Sequence, residues 1–426
     1  MMAPSSSDRR NQQIFGILDI GTSKVGAAII AAPAIDVRPR AGGWGLRFLG
    51  LGLQKSKGVK AGVLTDLDAA EDAVRAAISQ AEQAAGLNIS SVSVAIAAGR
   101  LGSRHFAANA DIGSGVVSDG DVQRMMHGGR AFAERDGRML IHMNRLGFRL
   151  DGTEGVLDAR GLAARKLSAY LHAVTADEAP LRNLLLLIER AHLACDGLVA
   201  APYASALAVT TEEERALGVT TIDFGAGTTT IGIFADGRFV GADVVPVGSQ
   251  HITFDIAKTL QTPLVEAERI KTLYGTMVTA QSDEHEAFTY PLAGEEDGAT
   301  YQTTKARLTD IIRPRVAQIL GLARERLAEN GASAYAGEKI VVTGGASQLL
   351  GLSEFVANQM GRPVRIGRPI AMPELPEAFS GPQFATIAGL AIASVAQDTG
   401  FGSYRDRGDP ARGYIGRVSS WLKAGF

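Results

Sequence analysis

The chain has 426 residues, 46% of them hydrophobic and 21% charged, which exceeds the usual single-domain size and excludes wholesale disorder. Its 43 Lys and Arg nearly balance 45 Asp and Glu for a net charge of -2, so no global field favours nucleic acid and any anionic partner must be met locally. A single cysteine, Cys195, excludes an intramolecular disulfide and fits a reducing cytoplasm. The opening "MMAPSSSDRRNQQ" has no apolar core of signal-peptide type, and no uninterrupted apolar run of roughly 18 residues occurs. The expectation is a protein neither exported nor integral to a membrane. Seven scattered histidines lack metal-ligand spacing, so no zinc or iron site is expected.

In chain order, residues 1–13 read as a disordered lead. "IFGILDIGTSKVGAAII" is two apolar runs about a glycine turn, the pattern of a β-hairpin. "DLDAAEDAVRAAISQAEQAAG" has helical periodicity, early acids and a glycine stop, and "SVSVAIAAG" alternates as a strand does. Residues 92–174 turn to short Gly-, Asp- and Arg-rich segments, with a helix in "DVQRMMHGGRAFAERDG" and a strand in "KLSAYLHAVTA", and read as an inserted α+β unit. Pro180 then opens the helix "LRNLLLLIERAHLACDG". That reading places Cys195 in a helical run, as a buried structural thiol rather than a nucleophile. A second hairpin, "GVTTIDFGAGTTTIGIF", leads to the helices "TFDIAKTL" and "PLVEAERIKTLYG" and to an acidic insertion at 282–300. "RLTDIIRPRVAQILGLARERLAENG" is a long helix that Pro314 should kink or divide. The strand and glycine turn "KIVVTGGAS", the helix "LLGLSEFVANQMG" and a last helix, "FATIAGLAIASVAQ", complete the body; residues 398–413 are polar, Gly-rich linker.

Two segments echo each other, "LDIGTSKVGAAI" at 18–29 and "IDFGAGTTTIGIF" at 222–234. Each sets an aspartate at a strand end, then glycines and hydroxyls in the turn. Glycines let backbone N–H groups approach phosphate, hydroxyls add donors, and an aspartate can hold magnesium through its waters. One such turn is ordinary hairpin chemistry; two suggest duplicated halves clamping one nucleotide. Paired glycines in "VVTGGAS" at 341–347 suit close approach of an adenine or phosphate. In "AERIKTLYG", Glu268 and Lys271 share a helix face, either as an exposed ion pair of little worth or as a pair reaching ribose hydroxyls.

Taken in order, "LDIGTSK", "IDFGAGTTTIGIF", "AERIK" and "VVTGGAS" resemble the phosphate 1, phosphate 2, ribose and adenosine motifs of the actin, DnaK-type chaperone and sugar kinase superfamily. Within it the chain resembles the FtsA family of bacterial cell-division proteins, also through "GVKAGVLTDLDAA", "IERAHLACDGLVAAPYASALAVTTEEERALGV" and "TDIIRPRVAQIL", over residues 14–426. The resemblance implies an α/β, two-lobed actin-like ATPase fold of duplicated RNase H-like subdomains with ATP and Mg2+ between the lobes. Asp19 and Asp223 would organise the magnesium through water. Gly21, Thr22, Ser23 and Lys24 would contact phosphates from the first turn, and Gly225, Gly227, Thr228 and Thr229 from the second. Glu268 and Lys271 would hold the ribose, and Gly344 with Gly345 would border the adenine.

The implied parts are subdomain 1A at 14–91, 175–211 and 385–397; an inserted subdomain 1C at 92–174; 2A at 212–249 and 334–384; and 2B at 250–333. The implied partners are further copies in filaments, the C-terminal peptide of FtsZ at 2B, later division proteins at 1C, and anionic lipids; nucleic acid is not among them. Hydrolysis is expected to be weak or slow, because no acid or Gln around "APYASALAV" stands out to orient an attacking water. Ser205, the nearest polar residue there, reads as part of a helix start. Three rivals share the superfamily. A PilM-like adaptor of pilus assembly would not need a C-terminal membrane helix, a sugar or acid kinase would need a catalytic carboxylate facing substrate, and a DnaK-type chaperone would need a substrate-binding domain for which no chain remains.

The chain ends "GYIGRVSSWLKAGF". At roughly 100° per residue, residues 414–426 place Tyr414, Ile415, Val418, Trp421, Leu422 and Phe426 within an arc of about 140°, with Arg417 and Lys423 in the remainder. Such a helix either docks on a protein surface or lies in a membrane interface, and it is too short to span. The tether before it and the family resemblance favour the membrane, on the cytoplasmic face at the division site.

Overall fold

The computed structural model describes residues 12–33, 45–98, 100–295, 300–329, 337–370 and 375–395. The linker at 398–413 and the amphipathic segment at 414–426 lie outside the described residues.

Two sheets of matching topology form the two lobes. In the first, the order is Ala194–Ala200, Ser91–Ile96, Gln12–Ile20, Lys24–Pro33 and Arg47–Lys55, with the first three parallel and the last three an antiparallel meander. In the second, Val364–Ile366, Lys339–Thr343, Val219–Phe224, Thr229–Ala235 and Arg238–Val245 repeat that arrangement. The duplication read from the paired turns is therefore a duplication of whole sheets. Each aspartate occupies the same place in its copy: Asp19 pairs with Gly26 and Asp223 with Thr230, next to the hairpin turn.

Helices cover the sheets because their apolar stripes match. Leu67–Ala85 begins at Asp66, whose side chain accepts from Ala69 N–H, ends at a left-handed Gly86, and buries Ala70, Ala73, Val74, Ala77, Ile78 and Ala81. Ala385–Val395 packs on Ala201–Val209 between the lobes, and both are buried almost throughout. A separate apolar core joins Ser249–Leu260, Leu264–Tyr274 and Lys305–Glu329 to the outer face of the second sheet.

Several expectations change. Gln12 and Gln13, read as the end of a disordered lead, already pair with Pro33 and Ala32. The insert does not begin at 92, because Ser91–Ile96 is a central strand of the first sheet, and its last strand, Lys166–Asp177, runs past 174. The 249/250 division falls inside the helix Ser249–Leu260. Cys195 is not helical: Glu178–Arg190 ends before His192, which turns left-handed at φ 63°, and the thiol is buried in the strand Ala194–Ala200. Burial raises it to about 12. Pro314 does not divide its helix, which runs unbroken from Lys305 to Glu329 with Leu308, Ile312, Val316, Ile319, Leu320 and Ala323 in the core. Burial of that stripe outweighs one lost backbone hydrogen bond. The acidic segment at 282–300 holds a 3-10 turn, Gln281–Glu284, and the hairpin strand Ala287–Pro291, which pairs with Thr300–Thr304.

The insert makes its own sheet, Gly102–Asp111, Lys166–Asp177, Arg138–Leu150 and Thr153–Val156, with the helix Asp119–Ala133 on one face. A single pair, Asp243 with Gly102, joins this sheet to the edge of the second lobe.

Candidate functional site

A cleft of about 970 Å³ lies between the lobes, lined from one side by Asp19–Lys24 and from the other by Asp223, Gly225–Thr228, Thr230, Glu268, Lys271, Gly344 and Gly345. The two hairpin turns thus face each other. A Cβ on Gly227 would sit 2.2 Å from Thr22 Oγ1, so only glycine lets the turns approach this closely. Gly344, at φ +86°, lies so near Asp223 that a Cβ would be 2.3 Å from its Oδ1.

The two carboxylates are the electrostatic centre. Burial raises Asp19 to about 6, partly offset by Lys24. Asp223 is also raised to about 6 by burial, opposed by a hydrogen bond from Thr386 and reinforced by the charge of Asp19. Burial depresses the Lys24 ammonium while both aspartates pull it back up. Its Nζ donates to the Gln383 carbonyl and lies 3.9 Å from the centroid of the Phe384 ring.

Two oxyanions sharing one lysine form a donor set suited to a hard divalent cation. Among the described residues, no three His, Cys, Asp or Glu side chains converge as a metal cage. Two carboxylates beside a phosphate cradle is the arrangement magnesium uses, with phosphate and water completing its shell. The residues present therefore fit magnesium nucleotide. Asp19 and Asp223 would orient its waters, and the facing turns would supply N–H and hydroxyl donors. The cation would neutralise phosphate charge there.

Glu268 and Lys271 are more than an exposed pair. Lys271 is 8% exposed; its Nζ lies 2.7 Å from Glu268 Oε2 and donates to Thr253 Oγ1 at 2.9 Å, while Thr253 donates to the same Glu268 oxygen at 2.5 Å. Burial lowers the Lys271 ammonium, and Glu268 opposes the shift. The triad fixes both groups on the cleft wall.

One assigned residue does not face the cleft. Thr229 is fully buried, and its hydroxyl donates to Val247 O at 2.8 Å. Side chains alternate along the strand, so Thr228 and Thr230 face the cleft instead. Ser205 does not start a helix: it lies mid-way along Ala201–Val209, fully buried. Sequence reasoning also missed Thr386, Gln383, Gln348 and Gln250, which line the cleft. Strand alternation could have found Thr230; Thr386 and Gln383 carry no local signal, because only the chain's return brings them there.

Family models match residues 220–389 as cell division protein FtsA and residues 98–175 as the SHS2 domain inserted in FtsA. The second match begins after the strand Ser91–Ile96, in line with the corrected start of the insert. Over 425 residues, 98% of this chain and 96% of the relative, the sequence is 38% identical to cell division protein FtsA of Rhizobium meliloti. FtsA of Agrobacterium fabrum is 37% identical over all of this chain and 97% of its own length. Among solved structures, a PilM–PilN type IV pilus biogenesis complex matches with a TM-score of 0.61 at 18% identity, covering 89% of this chain and 98% of that one. MreB5 of Spiroplasma citri bound to ADP matches at 0.50 and 14%, covering 89% and 95%. Those structural likenesses establish the two-lobed actin-like ATPase fold. The sequence matches, which span both lobes, the paired turns and the insert, go further: the chain belongs to the FtsA family of cell division proteins.

Proposed function

We propose that this chain binds ATP with Mg2+ in the interlobe cleft, self-associates into filaments, and holds FtsZ filaments on the cytoplasmic membrane at the division septum. The observation that carries the reading is the pair of facing turns with Asp19 and Asp223 at their strand ends across one cleft. A glycine-lined approach and two carboxylates raised by burial suit a magnesium polyphosphate, and the apolar mouth at Phe254, Leu264 and Val265 suits a base. The C-terminal peptide of FtsZ would bind subdomain 2B, about 250–333, and later division proteins would meet the insert. Among the described residues no helix is long and apolar enough to cross a membrane. Attachment would then fall to the amphipathic residues 414–426, through Tyr414, Ile415, Arg417, Val418, Trp421, Leu422, Lys423 and Phe426.

Co-sedimentation with anionic liposomes, with and without ATP and magnesium, tests the reading. The full chain should pellet with vesicles, more so with nucleotide, and removal of residues 414–426 should abolish pelleting. Unchanged vesicle binding after that removal refutes the anchor. Retention of full ATP affinity in magnesium by Asp19→Ala combined with Asp223→Ala refutes the nucleotide site.

A further inference from the structure

Asp223, the carboxylate proposed above to organise magnesium, takes one hydrogen bond from outside its own lobe. Asp223 belongs to the second lobe, at the end of the strand Val219–Phe224. Its Oδ2 accepts from Thr386 Oγ1 at 3.2 Å, across 163 residues of sequence, and its Oδ1 is walled by the backbone of Gly344. Thr386 stands in the first turn of the last described helix, Ala385–Val395, and that helix belongs with the first lobe. A Cβ on its Gly389 would lie 1.6 Å from Ala204 O, and Ile387 Cδ1 would lie 3.1 Å from a Cβ on Gly26, in the first hairpin. The helix therefore has little freedom to slide.

The turn preceding Thr386 touches both lobes as well. Pro382 O accepts from Gly344 N–H and Thr343 Oγ1, each at 3.2 Å, and Gln383 O accepts from Lys24 Nζ. The fully buried Ser205 hydroxyl lies near enough to Asp223 to favour its charged form, but among the described residues it has no hydrogen-bond partner within bonding geometry. Among the described residues, Thr386 is the side chain whose hydrogen bond to the Asp223 carboxylate is made.

We propose that Thr386 is a positioning residue: its hydroxyl, presented from the first lobe, holds the Asp223 carboxylate of the second lobe in the orientation that magnesium nucleotide requires. The inference rests on the nucleotide reading. Magnesium demands near-ideal octahedral geometry, so a carboxylate free to rotate organises its waters poorly. The hydrogen bond is made only while the last helix and the strand end keep their present separation. The hydroxyl therefore makes magnesium affinity sensitive to lobe arrangement.

The test uses the full chain, with ATP binding measured calorimetrically near neutral pH in magnesium and again in EDTA, for wild type, Thr386→Val, Thr386→Ala and Thr386→Ser. Loss of a hydrogen bond to a charged group predicts about tenfold weaker binding in magnesium for the Val and Ala variants. In EDTA the change should be less than about twofold, and Ser should restore most of the affinity. Wild-type binding that is absent or indifferent to magnesium brings down the nucleotide reading, and this inference with it. Magnesium-dependent wild-type binding with an unchanged Val or Ala variant overturns the positioning role alone. Equal weakening in magnesium and EDTA, or failure of Ser to rescue, also overturns it and marks Thr386 as packing. Thermal melting of each variant identifies any that fails to fold, and the Ala and Ser pair decides the outcome if Val is one of these.

Discussion

Thr228, Thr229 and Thr230 are adjacent, yet the β-strand divides their work. Thr230 lines the cleft with a hydroxyl that has no hydrogen-bond partner among the described residues, whereas the Thr229 hydroxyl is spent on Val247 O. Thr230→Val should therefore weaken magnesium-ATP binding several-fold with little change in melting temperature. Thr229→Val should leave affinity nearly intact and cost about 1 kcal/mol of stability. Calorimetric titration beside thermal melting separates the two. The aspartates offer a second residue-scale prediction. Folded Asp19 and Asp223 are raised to about 6 from 3.8, chiefly by burial. Their favourable contribution is thus fully present below pH 3.8 and is lost as pH rises through about 6. At neutral pH each is a charge held at a cost, so Asp223→Asn should melt higher than wild type without nucleotide while losing magnesium-dependent ATP binding. A lower melting temperature for that variant at neutral pH would contradict the assignment.

At the scale of elements, the insert is tied to the second lobe by more than its single strand pair. The His172 ring accepts from the Ser103 hydroxyl at 2.7 Å through Nε2 and donates through Nδ1 to Asn144 Oδ1 at 2.9 Å. Asn144 in turn donates to Phe239 O at 2.8 Å, and Ala242 N–H donates to Ser103 Oγ at 2.5 Å. Three insert side chains therefore close a polar loop onto the strand Arg238–Val245, with His105 stacked on His172 at 5.0 Å. His142 ties the insert to the first lobe, accepting from Ala200 N–H at 2.8 Å. Burial pushes His142 and His172 down to about 3, and His105 and His142 add repulsion at His172. Groups depressed in this way contribute stability that is full above pH 6.5 and lost as pH falls toward 3, at roughly 1.4 kcal/mol per pH unit for each histidine. Hydrogen exchange should show the strands Gly102–Asp111 and Lys166–Asp177 losing protection below pH 6.5, and His172→Asn should flatten that dependence. The last helix gives an element-scale prediction of another kind. Gly389→Ala forces a methyl into Ala204 O and should cost about 2 kcal/mol or more, read as a lower denaturant midpoint. It should also weaken magnesium-ATP binding, because Thr386 moves with the helix.

At the scale of the whole molecule, the membrane anchor proposed for residues 414–426 would be only 13 residues long and would hold a membrane weakly by itself, so several copies would have to act together. Vesicle binding should therefore rise steeply with protein concentration, and a variant that cannot self-associate should pellet poorly even with its tail intact. Binding simply proportional to concentration would argue against assembly as the source of attachment. Saturating magnesium-ATP should stabilise the folded chain by about 2.7 kcal/mol at a hundredfold excess over its dissociation constant.

Much of this protein is written locally. The two Asp-x-Gly turns, the helix from Asp66 to Gly86 and the apolar strands follow from backbone propensity and periodicity, which neighbouring residues alone decide. The motif order was legible for the same reason, and with it the family. What the sequence left open depends on contacts between distant segments. Pro314 stays within one helix because a buried stripe holds it, and Cys195 lies in a strand because His192 turns the chain early. Thr229 faces away while Thr230 faces in because strand pairing sets which alternate face meets the cleft. Thr386 reaches Asp223 only because the helix Ala385–Val395 returns between the lobes. Local pattern determined the elements and their chemistry; packing between segments hundreds of residues apart decided which side chains share the cleft.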